Sequence, residues 1–351
     1  MLKLLLGSHL LHSSWRLAGC LSVGLLTLGL LASSAALGAN VELAPLPAVM
    51  PVEGLTAEFE AKIPELFRLP VDDFEVAVRE VPIESKSIEI WHVTFPSAMK
   101  TESPANNTVH GEFYRPKMAG QRPAVIVLHI LGGDLQLSRV FCNHLAQNGS
   151  ASMLIHLPYY GNRRAPGESR RMISEDPDQT VVGMRQAVMD IRRGISWFES
   201  QRETIDPQQT GIFGISLGGI TSALAAAVEP RIENTCLLLA GADLGRIAWE
   251  SKELAKFRRK WVMDGFTKDQ FTATLKPIDP ITYAANLKDR RVLMLNAEKD
   301  EVIHRDCTLA LWQEAGEPAI KWYPGGHYSV IRHLFSAMHH TSEFFSTPAM
   351  P

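Results

Sequence analysis

From residue 123 onward, short apolar runs alternate with longer amphipathic stretches. PAVIVLHI (123–130), SASMLIHLP (150–158), TGIFGI (210–215), ENTCLLLAG (233–241), RRVLMLNA (290–297) and AIKWYP (319–324) are of strand length and apolar almost throughout. Strands covered on both faces have that texture. Between them, LSRVFCNHLAQNG, QTVVGMRQAVMDIRRGISWFES, LGGITSALAAAV and CTLALWQEAG carry helical spacing. Strand alternating with helix predicts a mostly parallel sheet with helices on both faces, and functional loops at the strands' C-terminal ends.

Two intervals break this rhythm. Upstream, SIEIWHVTF (87–95) and TVHGEFYRP (108–116) alternate polar with apolar, as half-buried strands do. They follow a proline-rich linker at 40–54 and a short amphipathic helix expected at 55–68, so residues 40–84 read as linker and N-terminal extension. Downstream, residues 243–289 are too many for one crossover. The segment at about 243–280 is helical in pattern, with Trp249, Phe257, Trp261, Phe266 and Phe271 as its large apolar residues. It predicts a small helical insertion leaving a strand's C-terminal end, and therefore a cap over any site there. The catalytic domain is expected to run over 85–351.

Residues 1–39 have a different texture. Lys3 and Arg16 are the only charges before Glu42, and LAGCLSVGLLTLGLLASSAALGA, between Arg16 and that acid, is uncharged and ends in small residues. That is the layout of a secretory signal peptide, cut after Gly38 or Ala39. The alternative is an uncleaved anchor that leaves the protein on a membrane, facing away from the cytoplasm. Either way the expectation is export, to a periplasm or beyond.

Composition is ordinary for a globular protein: 46% hydrophobic, 21% charged, formal net charge −3 over 351 residues. Without Lys3 and Arg16, 33 basic residues face 38 acidic ones, a charge near −5, and nothing argues for a nucleic-acid partner. Cys142, Cys236 and Cys307, at unrelated spacings, are no disulfide framework. Asn106-Asn107-Thr108 and Asn148-Gly149-Ser150 are glycosylation sequons. No phosphate-cradling loop, HExxH or CxxC occurs, so neither cofactor nor metal is expected. His339-His340 reads as an exposed pair.

The chemistry centres on Gly214-Ile215-Ser216-Leu217-Gly218, a G-x-S-x-G between a strand and a helix. Glycines two residues either side of a serine let a strand turn sharply into a helix, leaving Ser216 at a helix N-terminus where an anion is favoured. A serine needs a base, and this fold predicts the order serine, acid, histidine. After RRVLMLNA comes EKDEVIH; Asp300 stands just past the strand end, with Glu298 and Glu301 as competitors. After AIKWYP comes Gly325-Gly326-His327, which offers the base on a glycine-hinged loop. An oxyanion would be held by the backbone N–H of Leu217 and by a second from His129-Ile130-Leu131-Gly132-Gly133, with Leu131 preferred and Ile130 the alternative. His129 is expected to shape that loop. Arg163-Arg164 and Arg170-Arg171 read as a solvated loop, with an anionic substrate the alternative.

Taken together, LHILGGD, LPYYGNR, GISLGG, LNAEKDEV and PGGHYS resemble the α/β-hydrolase superfamily over roughly 85–345, within it the bacterial esterase and dienelactone-hydrolase-like group related to acetyl xylan esterases and prolyl-oligopeptidase-type peptidases. The resemblance implies an α/β-hydrolase fold and acyl transfer to water through an acyl-enzyme. Two positions depart from the pattern: Ile130 replaces the glycine usual after that histidine, and Ala297 stands where a glycine often precedes the acid turn. The expected function is an exported serine hydrolase of short-chain or carbohydrate-linked carboxylic esters, acting on a small-molecule ester. A serine exopeptidase of prolyl-oligopeptidase type is the alternative, though such enzymes usually carry a β-propeller or an acidic pair for the substrate's amino terminus. A binding protein on the same fold would be expected to have lost part of the Ser216, Asp300, His327 set.

Overall fold

The computed structural model of the chain describes residues 45–251 and 254–347, so the leader expected at 1–39 lies outside the described residues. The strands are β1 (Val49–Val52), β2 (Phe74–Val81), β3 (Ile88–Pro96), β4 (Thr108–Pro116), β5 (Arg122–Leu128), β6 (Ala151–Ile155), β7 (Ile205–Ile215), β8 (Asn234–Leu238), β9 (Arg291–Ala297) and β10 (Ala319–Tyr323). They form one sheet in the order β1-β2-β3-β4-β6-β5-β7-β8-β9-β10. β1 to β4 pair antiparallel, β4 pairs antiparallel with β6, and from β6 to β10 every pairing is parallel. This is the α/β-hydrolase architecture that the sequence predicts.

The helices are α1 (Ala57–Ala61), α2 (Gln136–Gln147), α3 (Pro177–Ser200), α4 (Leu217–Val228), α5 (Leu244–Glu250), α6 (Ala255–Met263), α7 (Lys268–Leu275), α8 (Arg305–Glu314) and α9 (Leu334–Ser346). The central strand β5 shows why they take both faces. Ala124, Ile126 and Leu128 point into a core shared with α3, α4 and α8, while Val125 and Val127 point into one shared with α2 and α9. A run apolar at every position thus needs cover on both sides. Among the described residues, no helix is long and apolar enough to cross a membrane.

β1 and β2 fall within the stretch read from the sequence as linker and extension. The β2 segment FEVAVREV alternates buried with exposed and pairs with β3 through Ala77↔Thr94 to Val81↔Ile90. The helix expected at 55–68 is shorter, α1 followed by a 3₁₀ turn at Glu65–Phe67. α1 is tied inward by charge: Glu60 takes Arg192 of α3 at 2.8 Å, Arg192 also pairs with Glu229 at 2.9 Å, and it donates to the Phe67 carbonyl.

Of the four arginines read as a solvated loop, Arg164 is exposed and Arg170 partly so, but Arg163 is not. Its side chain is fully buried, ion-paired with Asp190 of α3 at 2.7 Å and donating to the carbonyls of His156 and Asn106. Asp190 in turn accepts from Ser97 Oγ and Ala98 N. Asn106, in the first sequon, is buried, with its amide spent on Tyr159 N and Gln186 Oε1, and so cannot carry a glycan. Burial pushes the thiols of Cys142, Cys236 and Cys307 up, which leaves them unreactive.

Removing one partner of a buried pair leaves an uncompensated charge. Asp190→Ala should therefore cost about 3–5 kcal/mol of unfolding free energy in urea. A loss below ~1 kcal/mol would show that this pair does not hold the loop to α3.

Candidate active site

The sharp turn from β7 into α4 is enforced by space. A Cβ on Gly214 would lie 2.1 Å from the Gly218 carbonyl oxygen, and one on Gly218 would lie 2.5 Å from the Leu128 carbonyl oxygen. With both side chains absent, α4 descends onto β5 and β7. Ser216 is left at the helix N-cap with φ 56° and ψ −113°, a conformation disfavoured for any residue with a side chain. Hydrogen bonds hold it there: Ser216 N donates to Leu238 O at 2.8 Å, and Ile220 N donates to Ser216 O at 2.9 Å.

The loops after β9 and β10 meet this serine. Ser216 Oγ lies 2.9 Å from His327 Nε2. On the ring's other side, His327 Nδ1 lies 2.8 Å from Asp300 Oδ2 and 3.0 Å from Oδ1. With Nδ1 protonated against the carboxylate, Nε2 is the acceptor for the serine hydroxyl. Asp300 is fixed in place, since its Oδ1 also accepts from Val302 N at 2.9 Å and Ile303 N at 2.7 Å. Both Asp300 and His327 are buried.

The three acids of EKDE are thus separated by geometry. Glu298 is exposed, with its backbone N–H on Tyr323 O. Glu301 has a role without a local signal in the chain: its Oε2 accepts the backbone N–H of His327 at 2.9 Å. Gly326 makes room for that carboxylate, because a Cβ there would lie 2.1 Å from Glu301 Oε2. Ser329 Oγ accepts from Gly326 N at 2.8 Å and closes the histidine loop.

On the β5 side, His129 is buried. Its Nε2 accepts from Leu157 N at 3.1 Å, so the ring proton sits on Nδ1 and donates to Ile130 O at 2.8 Å. Gly133 N donates to the same carbonyl at 3.1 Å, which curls the loop around Ile130. Burial lowers His129 to about 4, as a neutral structural ring requires. Leu131 of this loop lines the same cavity as Ser216 and Leu217. Leu217 is the first residue of α4, where a backbone N–H has no partner within its own helix.

The cavity measures about 860 Å³. Ser216 and Leu217 line it together with Met184 of α3 and the inner sides of α5, α6 and α7, including Ile247, Phe257, Trp261 and Phe271. The insertion thus covers the site. Its helices are held by an aromatic cluster in which Trp261 and Phe271 stand 4.2 Å apart, and Trp261 Nε1 donates to Glu175 O at 2.6 Å across the cavity. Glu175, Asp176 and Arg171 line the opposite wall; Arg171 stands where the alternative reading of Arg170-Arg171 would have it, and no local sequence signal pointed to the two acids.

Two outcomes follow from this geometry. Gly218→Ala should destabilise the fold by more than ~2 kcal/mol and abolish activity, because backbone stands where its methyl would go; a protein of wild-type stability would contradict the close approach. Stability should also fall with pH. His129 binds its proton more weakly folded, at about 4, than unfolded, near 6.5, so acidification across that window favours the unfolded chain. The urea midpoint should drop between pH 7 and pH 5, and His129→Asn should flatten the decline.

Comparison with known proteins agrees on architecture. The family model described as alpha/beta hydrolase domain containing 18 matches residues 55–244, more than half of the chain, and that of the prolyl oligopeptidase family matches 184–324. An uncharacterized protein of Mycobacterium tuberculosis is 32% identical over 163 residues, or 44% of this chain and 36% of the relative. The match thus spans about a third of the length of that curated relative. Among solved structures, an acetyl xylan esterase from Paenibacillus sp. R4 superposes with a TM-score of 0.57 at 20% identity, over 76% of this chain and 88% of that one. Acetyl xylan esterase 1 from Thermoanaerobacterium sp. JW/SL YS485 gives 0.57 at 18%, over 75% and 87%. At such identities the likeness is one of fold.

Proposed function

The chain belongs to the alpha/beta hydrolase domain containing 18 family, and on that premise we propose that it is a serine hydrolase of carboxylic esters in which Ser216, His327 and Asp300 carry the chemistry. The observation that carries this reading is the continuous hydrogen-bonded path from Ser216 Oγ through the His327 ring to Asp300, at 2.9 and 2.8 Å, opening on the cavity. His327 Nε2 takes the hydroxyl proton as Ser216 Oγ attacks the ester carbonyl. The oxyanion is held by the N–H groups of Leu217 and Leu131. Collapse expels the alcohol, which receives the proton from His327. Water, deprotonated by the same ring, then attacks the acyl-enzyme, and collapse returns the proton to Ser216 while releasing the acid. Asp300 holds the ring's tautomer and steadies the imidazolium throughout.

The cavity favours a larger acyl group than the short-chain or carbohydrate-linked esters expected from the sequence. At about 860 Å³ it is in the range of pockets that hold drug-sized ligands. Its wall beyond Ser216 is mainly apolar: Met184, Ile220, Leu244, Ile247, Phe257 and Phe271. An apolar acyl chain longer than acetate suits that lining. Amide cleavage is the second reading, favoured by the prolyl oligopeptidase match and by Glu175 and Asp176 on the cavity wall, an acidic pair of the kind that binds an amino terminus.

The test is hydrolysis of p-nitrophenyl esters from acetate to palmitate by the protein and its Ser216→Ala variant. The expected result is kcat/KM rising beyond butyrate, with turnover lost in the variant. Asp300→Asn should cost about 10⁴ in kcat, as in other triads, whereas Glu298→Gln should stay near wild type. Substantial activity in Ser216→Ala would remove the serine from the mechanism. Silence on every ester, with cleavage of dipeptidyl p-nitroanilides, would favour the peptidase.

A further inference from the structure

The cap helix α6 has two unlike faces. Leu254, Phe257 and Trp261, spaced i, i+3 and i+7, line the cavity. Lys256, Arg259 and Met263, spaced i, i+3 and i+7, are exposed on the other side. The helix ends in two exposed apolar side chains, Val262 at 57% and Met263 at 86%. These values decide the matter because Met263 is the most exposed large apolar side chain among the described residues. Gly265, in the turn to α7, has φ +89°, and the turn leads back to Phe266, which with Asp264 and Lys260 lines the cavity. An apolar tip therefore stands at the edge of the space that holds Ser216.

Its surroundings are basic on an acidic protein. Of the five lysines and arginines in residues 254–268 (LAKFRRKWVMDGFTK), Lys260 and Lys268 are ion-paired, with Asp264 at 2.7 Å and Glu250 at 3.1 Å, and Arg258 is half-buried on the Trp249 carbonyl; Lys256 and Arg259 are the exposed cations beside Met263, in a chain whose net charge is −3. A helix end with two exposed apolar side chains beside two exposed cations has the make-up of an element that meets an anionic lipid surface. A bilayer accepts the apolar tip among its acyl chains and Lys256 and Arg259 among its phosphates.

We infer that α6 and its following turn dock the protein on an anionic bilayer, with Val262 and Met263 entering the interface and Lys256 and Arg259 on the headgroups. Docking at this point brings the cavity rim at Asp264 and Phe266 near the bilayer. The surface itself does not depend on the reading of Ser216 as nucleophile. It is also separate from any membrane role of the N-terminal segment, the one membrane contact that the sequence led us to expect.

The experiment is partition of the full-length chain onto vesicles of phosphatidylcholine with or without phosphatidylglycerol, titrated to give a partition coefficient. Lys256→Gln with Arg259→Gln is compared with wild type. Both carry the same N-terminus, whose own affinity cancels in the ratio. Each cation near an anionic surface contributes about 1 kcal/mol, so the double variant should partition roughly 10- to 30-fold less on anionic vesicles and almost unchanged on neutral ones. Val262→Asp with Met263→Asp should lose partition on both. Hydrolysis of soluble p-nitrophenyl butyrate should hold within about twofold in either variant, a check that the fold is intact. Ser216→Ala should bind vesicles as the wild type does, which separates failure of the esterase reading from failure of this one. Equal partition of wild type and the charge variant on anionic vesicles would overturn the inference. So would self-association through Val262 and Met263 without vesicle binding, which would identify a second copy as the occupant.

Discussion

The close approach of α4 to the carbonyl end of β5 governs the site. It depends on two missing side chains, at Gly214 and Gly218, each of which would run into backbone 2.1 to 2.5 Å away. Once the helix is that near the sheet, Ser216 has one way to go: a positive φ, its N–H on Leu238 O and its hydroxyl projecting beyond the strand ends. The strain is held by the β7–β8 pairing and by an α4 buried along its whole length. The loops after β9 and β10 then need only reach the same end of the sheet, which parallel topology guarantees. The functional group is thus fixed by packing among backbones, before any side-chain contact is made.

Two neighbouring carboxylates divide the work on His327. Asp300 meets the ring, and Glu301 meets the backbone N–H of the same residue. The first sets which nitrogen carries the proton; the second sets where the loop stands. Both contacts accept from N–H, and both bring negative charge toward a ring that becomes cationic during turnover. Consecutive residues can do this because the chain turns sharply after Ala297, with Asp300 Oδ1 capping Val302 and Ile303.

Much of this was legible in the chain. Strands buried on both faces announce themselves as apolar runs, and β4 spans the same residues as TVHGEFYRP. The order of serine, acid and histidine could be read because topology, and not distance along the chain, sets it. What stayed hidden depends on partners far away in sequence. Arg163 looks like any loop arginine until Asp190 is folded beneath it. Glu301 looks like a surface acid until the loop after β10 arrives. β2 alternates as clearly as β3 does, but a proline-rich approach and its position outside the repeating pattern led to its being read as extension.

The tie between α1 and α3 has a practical side. Read from its pattern of strands, the catalytic domain begins near residue 85, yet β1 and β2 complete the sheet and Glu60 shares Arg192 with Glu229. A chain shortened to that point would uncover the edge of β3 along 90–94, the stretch that β2 pairs, with Trp91, Val93 and Phe95 beneath. An open edge of that length pairs with its own kind. Aggregates from such a truncation would reflect a sheet stripped of its two outer strands, and would say nothing about the solubility of the intact protein.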